Sequence, residues 1–169
     1  MIKRTALYEQ HIKCQGKMVD FGGWEMPIHY GSQIEEHHLV RRKSGLFDVS
    51  HMTIVDLKGA DVKAYLSQIL ANDVNKISSI PGKALYSCLL NEYGCVIDDL
   101  IVYFMQDKWF RVIVNSSTRE KDLAWFKKQS QDFSLEIIEQ EHLAMIAVQG
   151  PESIKIANKI LAIRLDFKP

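Results

Sequence analysis

Two neighbouring carboxylates, Asp98 and Asp99, interrupt the apolar run Val96-Ile-Asp-Asp-Leu-Ile-Val-Tyr103. A carboxyl group held at hydrogen-bond distance can orient a substrate N–H or carry its proton. Successive side chains of a strand point to opposite faces. Asp99 therefore shares a face with Ile97, Ile101 and Tyr103, and Asp98 one with Val96, Leu100 and Val102. Both faces are apolar, so at least one carboxylate is expected in an apolar setting. There an unpaired charge costs roughly several kcal/mol, or the group titrates upward. A chain keeps such a group when it has a partner or a task; the plainer alternative is a carboxylate that faces solvent or pairs with a turn. The run forms one arm of a hairpin whose other arm starts at Tyr86, and Asn91-Glu-Tyr-Gly94 closes it, with glycine where a positive φ is often needed.

Other constellations are weaker. His37-His38 and His51 suggest a metal, but adjacent helical histidines diverge and no Cys, Asp or Glu set has ligand spacing, so no metal is expected. Ser50-His51 lacks the glycines of a nucleophile elbow. Gly22-Gly23 lacks the strand–helix context of a dinucleotide site. The aromatics Trp24, Tyr30, Trp109 and Trp125 read as core more readily than as a ligand platform. Formal net charge is zero, and the densest basic cluster, Arg41-Arg42-Lys43, sits where a helix C-terminus favours cations. Neither a nucleic acid nor a membrane is an expected partner. Three cysteines, Cys14, Cys88 and Cys95, in no zinc spacing favour a reducing compartment. Without an apolar signal core or a membrane-length run, the expected location is cytoplasmic. Apolar residues at 47% and charged residues at 25% over 169 positions suit a globular chain with one sizeable core or two small ones.

The elements that must position the carboxylates follow from spacing. Thr5 is expected to cap a helix from Ala6 to about Lys13, and Ser32-Gln-Ile-Glu35 is a capping box opening a helix to about Lys43. Lys17–Phe21 and Trp24–Tyr30 read as extended, with Pro27 excluding a helix interior. Thr53–Leu57 alternates as a strand, and Val62, Tyr65, Leu66, Ile69 and Leu70 make an amphipathic stripe. After the hairpin come a strand from Trp109 to Val114, a capping box at Ser117-Thr-Arg-Glu120 with a helix to about Lys128, and strands at Phe133–Ile138 and Leu143–Val148. Gly150-Pro151 is expected to open a last helix with proline first, and Leu165-Asp-Phe-Lys-Pro169 shows no closing strand. From Thr53 to Val148 the order strand, helix, three strands, helix, strand is close to a ferredoxin-like split βαβ unit with an extra strand. The expected class is α+β, with that unit at 53–139 inserted into a domain made from 1–52 and 140–169.

Several stretches, taken together, resemble the T-protein of the glycine cleavage system, the aminomethyltransferase family. They are Arg4-Thr-Ala-Leu-Tyr8, Lys17-Met-Val-Asp-Phe-Gly-Gly-Trp-Glu-Met-Pro27, Gly45-Leu-Phe-Asp-Val-Ser-His-Met52, Ala84-Leu-Tyr-Ser87, Val96-Ile-Asp-Asp-Leu-Ile-Val102, Asn115 with Glu120-Lys-Asp122, and Val148-Gln-Gly-Pro151. They occur in family order across essentially the whole chain.

The resemblance implies a folate-binding domain, here incomplete, interrupted by the ferredoxin-like unit, and a C-terminal barrel-like domain that this chain lacks. It implies transfer of a one-carbon unit from the aminomethyl-dihydrolipoyl arm of lipoylated H-protein to tetrahydrofolate, with release of ammonia. Asp99 takes the role of the carboxylate that orients the pterin amine and relays its proton. Met52, Tyr86, Leu85, Val114 and Asn115 fall where the family lines its folate pocket. Two departures stand out. Cys95 replaces a second turn glycine, which requires a negative φ there. Family members also run about twice as long, and the additional half supplies a Tyr, a Glu and an Arg to the folate site. A non-catalytic fragment, or half of a split enzyme paired with a separately encoded C-terminal half, is therefore an alternative. So is the demethylating domain of dimethylglycine or sarcosine oxidases, although the Lys17–Pro27 string favours the transferase. The Gly45–Met52 string likewise favours it over the related iron–sulfur assembly factors.

Overall fold

The computed structural model describes residues 2–161 and Leu165. The chain divides into two compact units, one from the described residues of 1–51 and 144–169, the other from 52–143. The class is α+β.

The first unit begins with α1 (Tyr8–Lys13), then the antiparallel hairpin of β1 (Lys17–Phe21) and β2 (Trp24–His29). Thr5 does not cap α1 with its side chain as expected. Its hydroxyl is taken by the buried carboxylate of Asp48, 2.5 Å away. In α2 (Gln33–Arg42) the capping box forms by half: Ser32 Oγ accepts from the Glu35 N–H, while Glu36 reaches back to the Tyr30 N–H. β3 (Gly45–Asp48) follows and later pairs, antiparallel, with a strand from beyond the second unit.

The second unit is built on β4 (Thr53–Lys58), α3 (Val62–Ile69), β5 (Ala84–Leu90), β6 (Val96–Gln106), β7 (Trp109–Val114), α4 (Arg119–Gln129) and β8 (Glu136–Glu139). The sheet order is β5-β6-β7-β4-β8, with every neighbour antiparallel. Without β5 this is the 4-1-3-2 order of a ferredoxin-like unit, so β5 is the additional strand. Gln140 belongs with this unit: its N–H bonds to the Ile54 carbonyl and its side chain to Asp56. One sheet face carries Val55, Leu57, Leu100, Val102, Phe104, Phe110, Val112 and Val114, and the α3 stripe of Val62, Tyr65, Leu66 and Ile69 packs on it with Phe126 of α4. Tyr65 satisfies its buried hydroxyl on the Phe126 carbonyl, 2.9 Å away. The opposite face carries Asp56, bound at both oxygens by Arg111 at 2.7 and 3.0 Å.

The chain then returns to the first unit with β9 (Ile146–Gln149), the partner of β3, and α5 (Ser153–Leu161). Pro151 lies in the turn before α5 rather than at its first position. Of the residues of α5 only Ala157 is buried. The terminal stretch Leu165–Pro169 lies, apart from Leu165, outside the described residues.

Candidate functional site

The hairpin sets the register of the site. Asn91 Oδ1 accepts from the N–H groups of Tyr93 and Cys95, and Gly94 takes a φ of 75°. Cys95 is not among the positive-φ residues, so cysteine is tolerated there. The ladder places Cys88 opposite Asp99, and Tyr86 opposite Ile101. On the other side Leu100 pairs with Val114, which pairs with Thr53. Asp99, Asn115 and Met52 therefore gather at one end of the sheet, each one residue beyond that row.

Asp99 is held from two sides. The Tyr86 hydroxyl donates to Oδ2 at 2.9 Å, and the Asn115 amide donates to Oδ1 at 3.2 Å and to the Asp99 carbonyl at 3.2 Å. The bond to Asp99 pushes the Tyr86 phenol up, keeping it a donor. Tyr86 is 61% exposed, so its ring is open to a ligand. The half-buried Met52 lies in the bend before β4.

Two of the expected residues are not brought to this carboxylate. Leu85 and Val114 follow the alternation onto the helix-covered face, where Val114 is fully buried in the core and Leu85 packs against it. The apolar setting expected of at least one carboxylate falls to Asp98, which is half-buried and turns toward the core face, while Asp99 is exposed. Burial would push Asp98 up, but the Thr118 and Asn115 hydrogen bonds, with the neighbouring Asp122 carboxyl, outweigh it and hold its carboxyl below the usual range.

The carboxyl driven upward is Asp122, of the Glu120-Lys-Asp122 stretch. Asp122 is fully buried at the first turn of α4, and burial, then the neighbouring Asp98 carboxyl, pushes it up to about 7. Neither of its oxygens has a hydrogen-bond partner of ordinary geometry. Its signal in sequence was a carboxylate four residues before Phe126, the core-facing position of that helix. The capping box expected at Ser117-Glu120 does not form, because a 3-10 turn at Ser116–Thr118 precedes α4. The hydroxyl of the next residue, Thr118, is committed to Asp98.

The remaining candidates have structural partners. Ser50 exchanges hydrogen bonds with the Met145 backbone, and His51 stacks edge-on with Phe21. Trp24, Trp109 and Trp125 are half-buried beneath Lys3, Lys58 and Lys128 respectively. In the first unit Asp48, His11 and Tyr30 form a chain with contacts of 2.9 and 2.6 Å beside a cavity of about 570 Å³. A second cavity, about 490 Å³, lies beside Lys58, Gly59 and Phe133. Asp99 lines neither. Among the described residues no His, Cys, Asp and Glu cluster can hold a metal ion, and no helix is long and apolar enough to cross a membrane.

A hydrogen-bonded Asp on a ferredoxin-like sheet, in a unit inserted into a second one, has counterparts among known proteins. The GCVT N-terminal domain model matches residues 7–168. The chain belongs to the GCVT N-terminal domain family. It is 58% identical over 153 residues to the aminomethyltransferase of Stenotrophomonas maltophilia strain K279a, covering 90% of this chain and 41% of that one. It is 57% identical over 162 residues to the aminomethyltransferase of Xylella fastidiosa strain M12, covering 96% and 44%. The crystal structure of glycine cleavage system aminomethyltransferase T from Bartonella henselae superposes with a TM-score of 0.85 at 32% identity, over 94% of this chain and 44% of that one. This member of the GCVT N-terminal domain family thus spans less than half the length of the curated relatives it matches.

Proposed function

We propose that the chain supplies the Asp99-bearing part of a cytoplasmic, tetrahydrofolate-dependent aminomethyltransferase of glycine cleavage. The donor is the aminomethyl group on the dihydrolipoyl sulfur of H-protein. Its carbon passes to tetrahydrofolate, the nitrogen leaves as ammonia, and the thiol is restored. The observation that carries this reading is the Asp99 carboxylate, fixed by Tyr86 and Asn115 in a chain of this family.

The residues present fit that acceptor in part. Tyr86 and Asn115 hold both Asp99 oxygens, which fixes the direction from which a ring N–H can approach. A carboxylate so held orients that N–H and takes its proton as the nitrogen attacks. Tyr86 and Met52 offer a ring and a soft thioether to a flat heterocycle. The first unit, read from sequence as 1–52 with 140–169, is proposed as the incomplete folate-binding domain, and the inserted unit as the carrier of Asp99.

The test is folate-dependent ammonia release from aminomethylated H-protein by the purified chain, alongside tetrahydrofolate binding by the chain and by Asp99→Asn. Binding without turnover supports a half-site. Absence of both from the chain and from its complex with the longer relatives' remaining polypeptide overturns the reading.

A second reading, a split enzyme needing a separately encoded C-terminal half, is favoured by one observation. The first unit exposes Ile34, Leu46 and Ile160 at 71, 71 and 74%. Recovery of turnover only on co-expression with that half distinguishes it.

A further inference from the structure

Asp122 is the group for which the proposed reaction has no direct use. It is fully buried, both its oxygens lack an ordinary partner, and it stands beside Asp98, a second carboxyl. Two ionised carboxyls cannot share such a site cheaply, whereas one proton between them turns repulsion into a hydrogen bond. From Asp98 a continuous polar path leads outward. Asp98 Oδ1 accepts from the Asn115 amide nitrogen at 3.1 Å, and the same nitrogen reaches Asp99 Oδ1 at 3.2 Å. Asp98 Oδ2 is held by the Thr118 hydroxyl.

We propose that Asp122 is a positioning residue for Asp99: as the protonated partner of Asp98 it keeps Asp98 an ionised acceptor, which fixes the Asn115 amide and, through it, the Asp99 carboxylate. The proposal rests on the reading of Asp99 given above for its functional meaning, and on the burial of Asp122 and the Asp98–Asn115–Asp99 hydrogen bonds for its structural content.

The charged groups facing Asp122 are few among the described residues. Asp98 comes from β6 and disfavours a second charge; Lys121 comes from α4, favours it, and is drawn away to the Ile97 carbonyl at 2.6 Å. Arg119 is engaged with Glu120 and Glu139. Burial and Asp98 prevail, so Asp122 keeps its proton until about neutrality. When it ionises, Asp98 loses a donor and faces a like charge, and the Asn115 amide is freed to turn.

The experiment is a side-chain NMR titration of the 169-residue chain, following the carboxyl carbons of Asp98, Asp99 and Asp122 and the amide of Asn115. The Asp122 carbon is expected to titrate with a midpoint near 7, and the Asn115 amide to shift with the same midpoint. In Asp122→Asn, where an amide replaces the O–H donor, the Asn115 signal should stay flat between about pH 5 and 9. An Asp122 midpoint in the ordinary carboxylate range, or an Asn115 signal indifferent to it, overturns the proposal. The wild-type titration decides this even if the variant does not fold. Tetrahydrofolate added to the same samples tests the functional reading separately. Coupling without binding upholds the positioning and counts against the reading; binding without coupling does the reverse.

Discussion

Asp98 and Asp99 differ by one bond along the chain and by almost everything else. The pleat sends Asp98 toward the core face, to Thr118 and Asn115, and Asp99 to the open face, to Tyr86. Replacing Asp99 with Asn keeps shape and removes the proton acceptor. Tetrahydrofolate should still bind in an assembled enzyme, while turnover falls by a factor on the order of 100 or more, read as single-turnover ammonia release. Asp122 gives a prediction of opposite character. It binds its proton more tightly folded than unfolded, so the folded chain is most favoured below about pH 4 and loses that advantage as pH climbs through the folded midpoint near 7. Asp98, held low, acts in reverse: its stabilisation is present above about pH 4 and lost as pH falls below it. Asp122→Asn should therefore unfold at higher urea than wild type at about pH 8, by on the order of 1–3 kcal/mol, and the gap should close toward pH 4. That a carboxylate in this strand has a partner was legible, because alternation and desolvation need only local sequence. Which carboxylate is perturbed was not. The buried group is contributed by α4, and only the packing of α4 on the sheet brings Asp122 to Asp98.

The elements were legible where periodicity alone decides. Val62–Ile69, Trp109–Val114 and the hairpin stand where alternation and the amphipathic stripe put them. They were misread where a side chain had a better distant partner. Thr5, the expected cap of α1, serves Asp48, and Thr118, next to the expected cap Ser117, serves Asp98. Leu85 and Val114 neighbour Tyr86 and Asn115 in sequence, and strand alternation gives their side chains to the core-facing side of the sheet. Gly59 follows β4, and no local sequence pattern marks its close approach to a distant segment. It takes a φ of 153°, and a Cβ there would meet the Ser134 carbonyl at 2.2 Å and Leu135 Cα at 2.5 Å. Gly94 has a φ of 75° but nothing within 4 Å of its Cβ position. Gly59→Ala should thus cost about 2–4 kcal/mol, from strain plus separation of β4 from the Ser134–Leu135 segment. Gly94→Ala should cost about 1–2 kcal/mol, from backbone strain alone. Urea midpoints of the two variants measure the difference, and equal losses would show that close approach at Gly59 is not limiting.

At the scale of the whole molecule the two units differ in how well they bury themselves. The inserted unit has a continuous core in which Val55, Leu57, Tyr65, Leu66, Val102 and Phe126 are each fully or almost fully buried. In the first unit β3 and β9 pair only with each other among the described residues, and Leu46, Phe47, Ile146 and Val148 remain exposed on that ribbon. A two-stranded ribbon is marginal in water, and exposed apolar strands are templates for further pairing. The curated relatives, of which the chain matches 41–44%, have more polypeptide to place. The remaining segment of the Xylella fastidiosa relative, supplied as a separate chain, should therefore form a one-to-one complex with this one. The inserted unit should keep its amide-exchange protection unchanged, because its core is already closed. Protection should rise along Gly45–Asp48 and Ile146–Gln149, and binding of a hydrophobic dye should fall. Hydrogen exchange with mass spectrometry reads both units in one experiment. If the added chain binds but protects only the inserted unit, the exposed ribbon is not its docking edge, and the split-enzyme reading loses its structural support.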